Sequence, residues 1–477
     1  MPSADCLRSR SGRPGANNGP PFAVLRLGAP VGIPADRRPV ASILAPRRSG
    51  AESPSLYADA RRRRRQRTTS AEAATPTFHD DDVDKILAEI DPDETIAFLQ
   101  ELVRIPSVNP PGDVTAAIAA CRRVLDDAGF ATRTEAIEPS KPNLIAEYGA
   151  PDGPTLCFNA HVDVVPTGDE AAWRHPPFAA DLVDGRVYGR GAGDDKASVT
   201  AQVMAAVALA RSGLPLRGRL VVNEVADEET NGAAGARFVV ESGLVRPDVV
   251  IVGEQTLNRV CLGEKGIAGV DVVVRGRTAH GALPWEGANA IEAMARVVAA
   301  LQTELWPRLE ERTHPFFHHS SGSVNMIEGG VKNNVVPDRC SVFVDRRLVP
   351  GEDPQASSAE IEAIARRAVA PMTGIDVAVQ PATEMRPATL TDAASPLVQA
   401  MLAANRRLGL PTEPTGFSMA SDGRFFAAAG YPTIIYGPGD PRLAHVPDEW
   451  VGVDELLAAT RAYALAALAL IGPGSAP

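Results

Sequence analysis

Five short stretches of this 477-residue chain carry side chains that bind metals or move protons. Asn159-Ala-His161-Val-Asp163 closes an apolar run, and a two-residue spacing on a strand turns both side chains to one face. Taken alone, a His-x-Asp pair also serves as a hydrogen-bonded turn. Gly189-Arg-Gly-Ala-Gly193-Asp194-Asp195-Lys196 is glycine-rich, yet it lacks the glycine spacing and the Gly-Lys-Ser/Thr ending of phosphate loops. It reads instead as a turn that delivers Asp194 at a helix start, where a plain N-cap would look the same. Asp227-Glu228-Glu229 is a run of three carboxylates, which is either well solvated or neutralised by metal. Glu254 follows Gly253 at the end of another apolar run, and His445 follows the Gly437-Pro-Gly439 loop.

Each signal has a bland reading, but together they place two histidines and several carboxylates at strand ends, in a chain with only eight histidines. Three Asp/Glu and two His suit a pair of zinc-like ions that share one carboxylate. Such ions polarise a carbonyl and acidify a water for hydrolysis. A further carboxylate free of metal would act as general base.

The elements that must position these groups alternate. Helical periodicity covers Thr95–Val103, Ala116–Leu125, Ala197–Ala210, Ala233–Val240 and Glu455–Leu470, while Thr155–Asn159, Leu220–Asn223 and Val249–Val252 read as buried strands. This is the pattern of an α/β catalytic domain, a mainly parallel sheet covered by helices on both faces. In such sheets ligands bind beyond the carboxyl ends of the strands. From Gly263 the texture changes to alternating strands at Ile267–Val274 and Cys340–Val344, with helices at Ala288–Leu301 and Ala359–Val369. That order suits an inserted α+β domain. Helix–strand texture returns at Pro396–Leu408, Gly423–Ala429 and Thr433–Tyr436. The expected division is a leader at 1–77, the catalytic domain at 78–262 and 379–477, and the insertion at 263–378.

Charge separates the leader from the rest. Residues 1–77 hold 14 Arg, no Lys and 5 Asp or Glu, whereas the remainder holds 34 Lys or Arg against 54 Asp or Glu. The acidic body argues against nucleic-acid binding, and no apolar run is long enough to cross a membrane. The Arg-, Pro- and Ser-rich leader is expected to be disordered and dispensable, an over-extended gene start or a functionless tail. An organelle transit peptide and a basic nucleic-acid arm are the alternatives. Five widely spaced cysteines with no Cys-x-x-Cys pair fit reduced thiols and a cytoplasmic protein.

The ordered motifs resemble the di-zinc aminoacylase and exopeptidase family that includes acetylornithine deacetylase, succinyl-diaminopimelate desuccinylase, aminoacylase and glutamate carboxypeptidase. They run from LVRIPSVNPPGD at 102–113 through HVDVVP at 161–166, GRGAGDDK at 189–196, DEE at 227–229, GEQT at 253–256, AHGALPWEGANA at 279–290, NNVVPD at 333–338, DRR at 345–347 and SDGRF at 421–425 to His445. The resemblance implies two divalent ions per subunit, zinc first, with cobalt or manganese as alternatives. Asp194 would bridge them, His161 and Glu254 completing one site, Glu229 and His445 the other. Glu228 would be the general base and Asp163 would orient His161. His280 would stabilise the oxyanion, reaching the site from a partner subunit of a homodimer. Asn334 and Arg347 would contact the substrate, and Gly437 and Gly439 would line its pocket. Gly193, Ala197, Gln255 and Gly281 depart from the usual residues without removing a ligand or the base.

The implied activity is hydrolysis of the amide of an N-acyl amino acid. A metallo-carboxypeptidase or dipeptidase acting on a short peptide is the alternative, and a non-catalytic binding relative the more distant one. The His314–His319 tract, lacking carboxylates and cysteines, reads as a surface loop rather than a metal site.

Overall fold

The computed structural model describes residues 78–473. The leader 1–77, with its expected disorder, and Cys6 lie outside the described residues. An eight-stranded sheet forms the centre, in the order Ala131–Glu135, Asn143–Gly149, Arg219–Val225, Thr155–His161, Val249–Gly253, Thr433–Tyr436, Cys261–Glu264 and Thr415–Phe417. Its four central strands, from Arg219–Val225 to Thr433–Tyr436, run parallel, and the antiparallel pairings lie toward the margins. Thr155–His161 is buried at every position, as expected of a strand covered on both faces. Leu156, Phe158 and Ala160 join the core beneath the helices Pro92–Arg104, Thr115–Asp127, Lys196–Arg211, Pro396–Leu408 and Val453–Ile471. Cys157 joins the smaller core beneath Ala236–Glu241 and Gly423–Ala428. Lys196–Arg211 is apolar around most of its circumference, with Lys196 through Leu209 all buried, so it lies between the sheet and Val453–Ile471 rather than at the surface.

Between Gly266 and Pro381 a second, antiparallel sheet forms, ordered Ser321–Gly329, Arg339–Leu348, Val270–Arg275 and Asp376–Pro381, with Gly266–Ile267 added to Arg339–Leu348. Helices Ala290–Ala300 and Pro354–Val369 cover one face and give it a core of its own, built on Val270, Val272, Val342, Val344, Met294 and Ile361. The fold is thus an α/β sheet domain split by an α+β insertion. The boundary expected at 378 falls inside the last of these strands, Asp376–Pro381.

Two expected elements are shorter than their patterns. The helix expected from Ala233 begins at Ala236. Asn231 and Gly232 take positive φ, and Gly235 lies so close to Ala226 that a Cβ there would sit 1.8 Å from the Ala226 carbonyl oxygen. The strand expected over Ile267–Val274 is interrupted at Ala268 and Gly269. The His314–His319 tract forms a small ladder, Thr313–His314 against Phe317–His319, rather than a loop. Among the described residues no helix is long and apolar enough to cross a membrane.

Candidate metal centre

Every expected metal ligand sits beyond the carboxyl end of a central strand or on a loop facing it. His161 ends Thr155–His161, the carboxylates Asp227 to Glu229 follow Arg219–Val225, and Glu254 follows Val249–Gly253. Asp194 comes from the turn before Lys196–Arg211 and His445 from the loop after Thr433–Tyr436.

Asp194 stands between the two histidines. Its Oδ1 lies 3.3 Å from His161 Nε2 and its Oδ2 3.3 Å from His445 Nε2. His445 Nε2 is also 3.3 Å from Glu229 Oε2. Two groups of ligand atoms converge, His161 with Asp194 and Glu254, and Asp194 with Glu229 and His445, each spanning no more than 4.8 Å. They share Asp194.

The electrostatics call for cations. Burial pushes the Glu254 carboxyl well above the usual range, and Asp195 and Asp194 add to the effect. Burial raises Glu229 to about 7, although His445 draws it down. Burial opposes charge on His161, yet Asp163 and Asp194 outweigh it and hold the imidazole well above its ordinary value. The Asp194 and Glu229 carboxylates, accepting from its ring N–H, lift His445 to about 10. Carboxylates and imidazoles packed this closely, and this deeply, suit divalent cations. Glu229 Oε1 is buried with no hydrogen-bond partner, as expected of a ligand oxygen. Nitrogen and carboxylate donors in this number suit zinc.

The residues around the ligands are arranged in ways only partly expected. The Asp163 carboxylate, expected to orient His161, lies 3.6 Å from His161 Nδ1, while the Asp163 backbone carbonyl is closer at 3.0 Å. The carboxylate instead accepts from Asn109 Nδ2 at 2.8 Å and from the backbone N–H groups of Glu228 and Glu229 at 3.2 and 3.3 Å. It therefore fixes the backbone of Glu228 and Glu229. Glu449, given no role by the motifs, is fully buried, pairs with Arg190, and accepts from the N–H groups of Gly193 and Asp194 at 2.9 and 3.0 Å. It locks the turn bearing Asp194 to the loop bearing His445. Arg424 was also missed: its Nη1 lies 3.0 Å from Glu228 Oε1. The charged residue in SDGRF was the available signal.

The remaining expected residues stand apart. Among the described residues no hydrogen bond or ion pair joins His280, Asn334 or Arg347 to the ligand cluster. His280 is exposed on the short strand Ala279–His280, paired with Val335. Asn334 donates nothing to the cluster; its carbonyl accepts from Gly281 N–H. Arg347 is held by Asp345 through contacts of 2.9 and 3.2 Å. Strand alternation turns its neighbour Arg346 into the interior, against Glu352. The carbonyls of Gly437 and Gly439 accept from the 256–258 loop. A Cβ on Gly437 would lie 2.4 Å from the Glu254 carbonyl, so its lack of a side chain lets this loop press against the Glu254 backbone.

Two departures from the usual motif explain one another. A Cβ on Gly193 would lie 2.4 Å from Gln255 Nε2, and Gln255 is buried. Gly193→Ala is therefore expected to lower stability by about 1 kcal/mol through overpacking. Adding Gln255→Ala should remove that penalty. Urea unfolding of the two single variants and the double variant measures the coupling.

The chain resembles known proteins over most of its length. Residues 157–469 match the model of peptidase family M20/M25/M40. A succinyl-diaminopimelate desuccinylase of Phenylobacterium zucineum is 33% identical over 381 residues, covering 78% of this chain and 97% of that protein. One from Cereibacter sphaeroides is 30% identical, covering 76% and 96%. Among solved structures, a tripeptidase of Staphylococcus aureus superposes with a TM-score of 0.67 at 20% identity, over 80% of this chain and 99% of that one. A dinuclear metal-binding peptidase of the M20 family from Bacillus subtilis gives 0.61 at 19% identity, over 80% and 98%. With that match and those relatives, the chain belongs to peptidase family M20/M25/M40 and is a hydrolase of amide bonds.

Proposed function

We propose that this protein removes the acyl group from an N-acyl amino acid, in the manner of a desuccinylase or deacetylase. The observation that carries the reading is the pair of ligand groups sharing Asp194, with Glu228 adjacent in sequence to the ligand Glu229. The identity to desuccinylases along nearly their full length supports an acyl amino acid over a peptide. His161, Asp194 and Glu254 would hold one ion, and Asp194, Glu229 and His445 the other, with zinc the favoured metal. The bound ions would polarise the amide carbonyl and acidify the attacking water. Glu228 takes the proton from that water and passes it to the amide nitrogen as the C–N bond breaks, releasing a carboxylate and a free amine. Asp163 and Arg424 hold Glu228 from its backbone and its side chain. Hydrolysis of N-succinyl and N-acetyl amino acids by the zinc-loaded enzyme is the expected result of a substrate panel; cleavage of dipeptides alone would overturn the reading.

The insertion is the proposed lid and dimer interface. Its edge strand Ser321–Gly329 pairs on one side only and exposes Met326 and Ile327, with Val331 exposed just beyond. Exposed apolar side chains on an unpaired strand edge favour pairing with a second copy. His280, exposed and joined to the ligand cluster by no hydrogen bond, would then be delivered across that dimer to the oxyanion, while Arg347 would bind the substrate's carboxylate through its planar fork. Ile327→Lys should convert the dimer to a 50.2 kDa monomer, read by sedimentation. His280→Ala should lower kcat by about 10²-fold, the cost of one oxyanion donor. Buried, unpaired Cys121, Cys157, Cys261 and Cys340 support a reducing, cytoplasmic setting.

A further inference from the structure

Away from the ligands, a set of buried charges gathers where the two connections between the sheets cross. The outgoing connection leaves strand Cys261–Glu264 for Gly266–Ile267, and the returning one passes through residues 386–389. They are hydrogen-bonded to each other: Ile267 N–H to Arg386 O at 2.9 Å, Arg386 N–H to Ile267 O at 3.0 Å, and Thr389 N–H to Glu264 O at 3.0 Å. The approach is close, since a Cβ on Gly263 would lie 2.1 Å from the Thr389 carbonyl oxygen.

Glu264 sits at this crossing with its side chain buried. Its Oε2 accepts from the Ser421 backbone N–H at 2.7 Å and from the Ser421 hydroxyl at 2.5 Å. The Ser421 carbonyl in turn accepts from Arg424 Nη1 at 2.6 Å, and that same nitrogen reaches Glu228 Oε1 at 3.0 Å. A continuous chain of contacts therefore runs from the crossing to Glu228. Glu264 is not a metal ligand, and a carboxyl in an apolar interior is costly to keep. Burial raises it to about 7, with Arg424, Ser421 and Arg386 opposing.

We propose that Glu264 is a positioning residue for Glu228, acting through Ser421 and Arg424. The proposal rests on the reading of Glu228 as the general base. Glu264 clamps Ser421 from both its amide and its hydroxyl; Ser421 then presents a carbonyl that holds the Arg424 guanidinium against Glu228. Without that clamp the guanidinium loses one of its two fixed acceptors, and the base loses its aim. Because Glu264 lies on a segment joining the sheets, the same contacts tie the setting of the inserted domain to the position of the base.

The test compares Glu264→Ala, Glu264→Gln and Glu228→Gln in the full-length, zinc-loaded enzyme. Glu264→Ala should lower kcat by about tenfold or more, the order of effect expected from a misplaced catalytic group. KM and bound zinc should be unchanged. Glu264→Gln should recover most of the loss, because its amide oxygen still accepts from Ser421. Wild-type kcat in Glu264→Ala, or a Gln variant as slow as Ala with zinc lost, would overturn the proposal. Should Glu264→Ala fail to fold, Ser421→Ala removes one donor to Glu264; a lowered kcat there supports the proposal and an unchanged one overturns it. If Glu228→Gln keeps full turnover, the base reading itself fails. If Glu228→Gln is inactive while Glu264→Ala is normal, only the positioning role falls.

Discussion

Glu228→Gln should leave a folded, metal-loaded protein whose kcat is lower by about 10²–10⁴-fold, the usual contribution of a general base. The amide keeps the shape of the side chain and still accepts from Arg424, now 3.0 Å from Oε1, so packing changes little. What is lost is the ability to take a proton from the attacking water. KM should move far less than kcat, because the base acts on the reacting atoms rather than on ground-state binding. Steady-state kinetics beside a zinc determination separates this outcome from metal loss. An equal fall in bound zinc would assign Glu228 to the metal site instead.

Asp194→Ala should have the larger effect on composition. Both ligand groups include Asp194, so removing it should take bound zinc from two ions to fewer than one per chain and reduce turnover to background. It should also abolish stabilisation by metal. A ligand that binds only the folded state at one hundred times its Kd adds about 2.7 kcal/mol, so added zinc should raise the melting temperature of the wild-type chain and leave that of the variant unmoved. Loss of one ion with the other retained would show that Asp194 does not bridge.

The candidate ligand groups are readable in the sequence because their residues sit at ends of apolar strands and in short motifs. His161, Glu229 and Glu254 each stand within a few residues of a buried strand whose periodicity is plain, and topology then brings those ends together. The residues that hold the ligands were not legible in the same way. Arg424 meets Glu228 across 196 positions, and Glu449 meets Gly193 across 256. No local pattern announces such pairs, and buried ion pairs have no periodicity. At Asp163 the His-x-Asp spacing leaves open which group meets the imidazole: the carboxylate lies 3.6 Å from His161 Nδ1 and the backbone carbonyl 3.0 Å.

The fold shows the same division. The long helices and the central strands followed from apolar spacing, whereas the start of Ala236–Glu241 was decided by the tight approach of Gly235 to Ala226. The outer strand Ala131–Glu135 carries a polar, half-exposed sequence and owes its place to pairing with Asn143–Gly149. The change of texture at Gly263 falls within strand Cys261–Glu264 of the first sheet, and residue 378 falls within Asp376–Pro381 of the second, because a ladder can run on past the point where residue type changes.

The di-metal amidohydrolase reading is tested most directly by stripping the protein with a chelator and titrating zinc back. Bound ions are counted while amine release from an N-succinyl amino acid is followed. The expected result is two ions per chain, one for each ligand group, with turnover absent in the stripped protein and complete at the second equivalent. Turnover that survives full removal of metal, or metal-loaded protein that binds two ions and leaves every N-acyl amino acid intact, would contradict it.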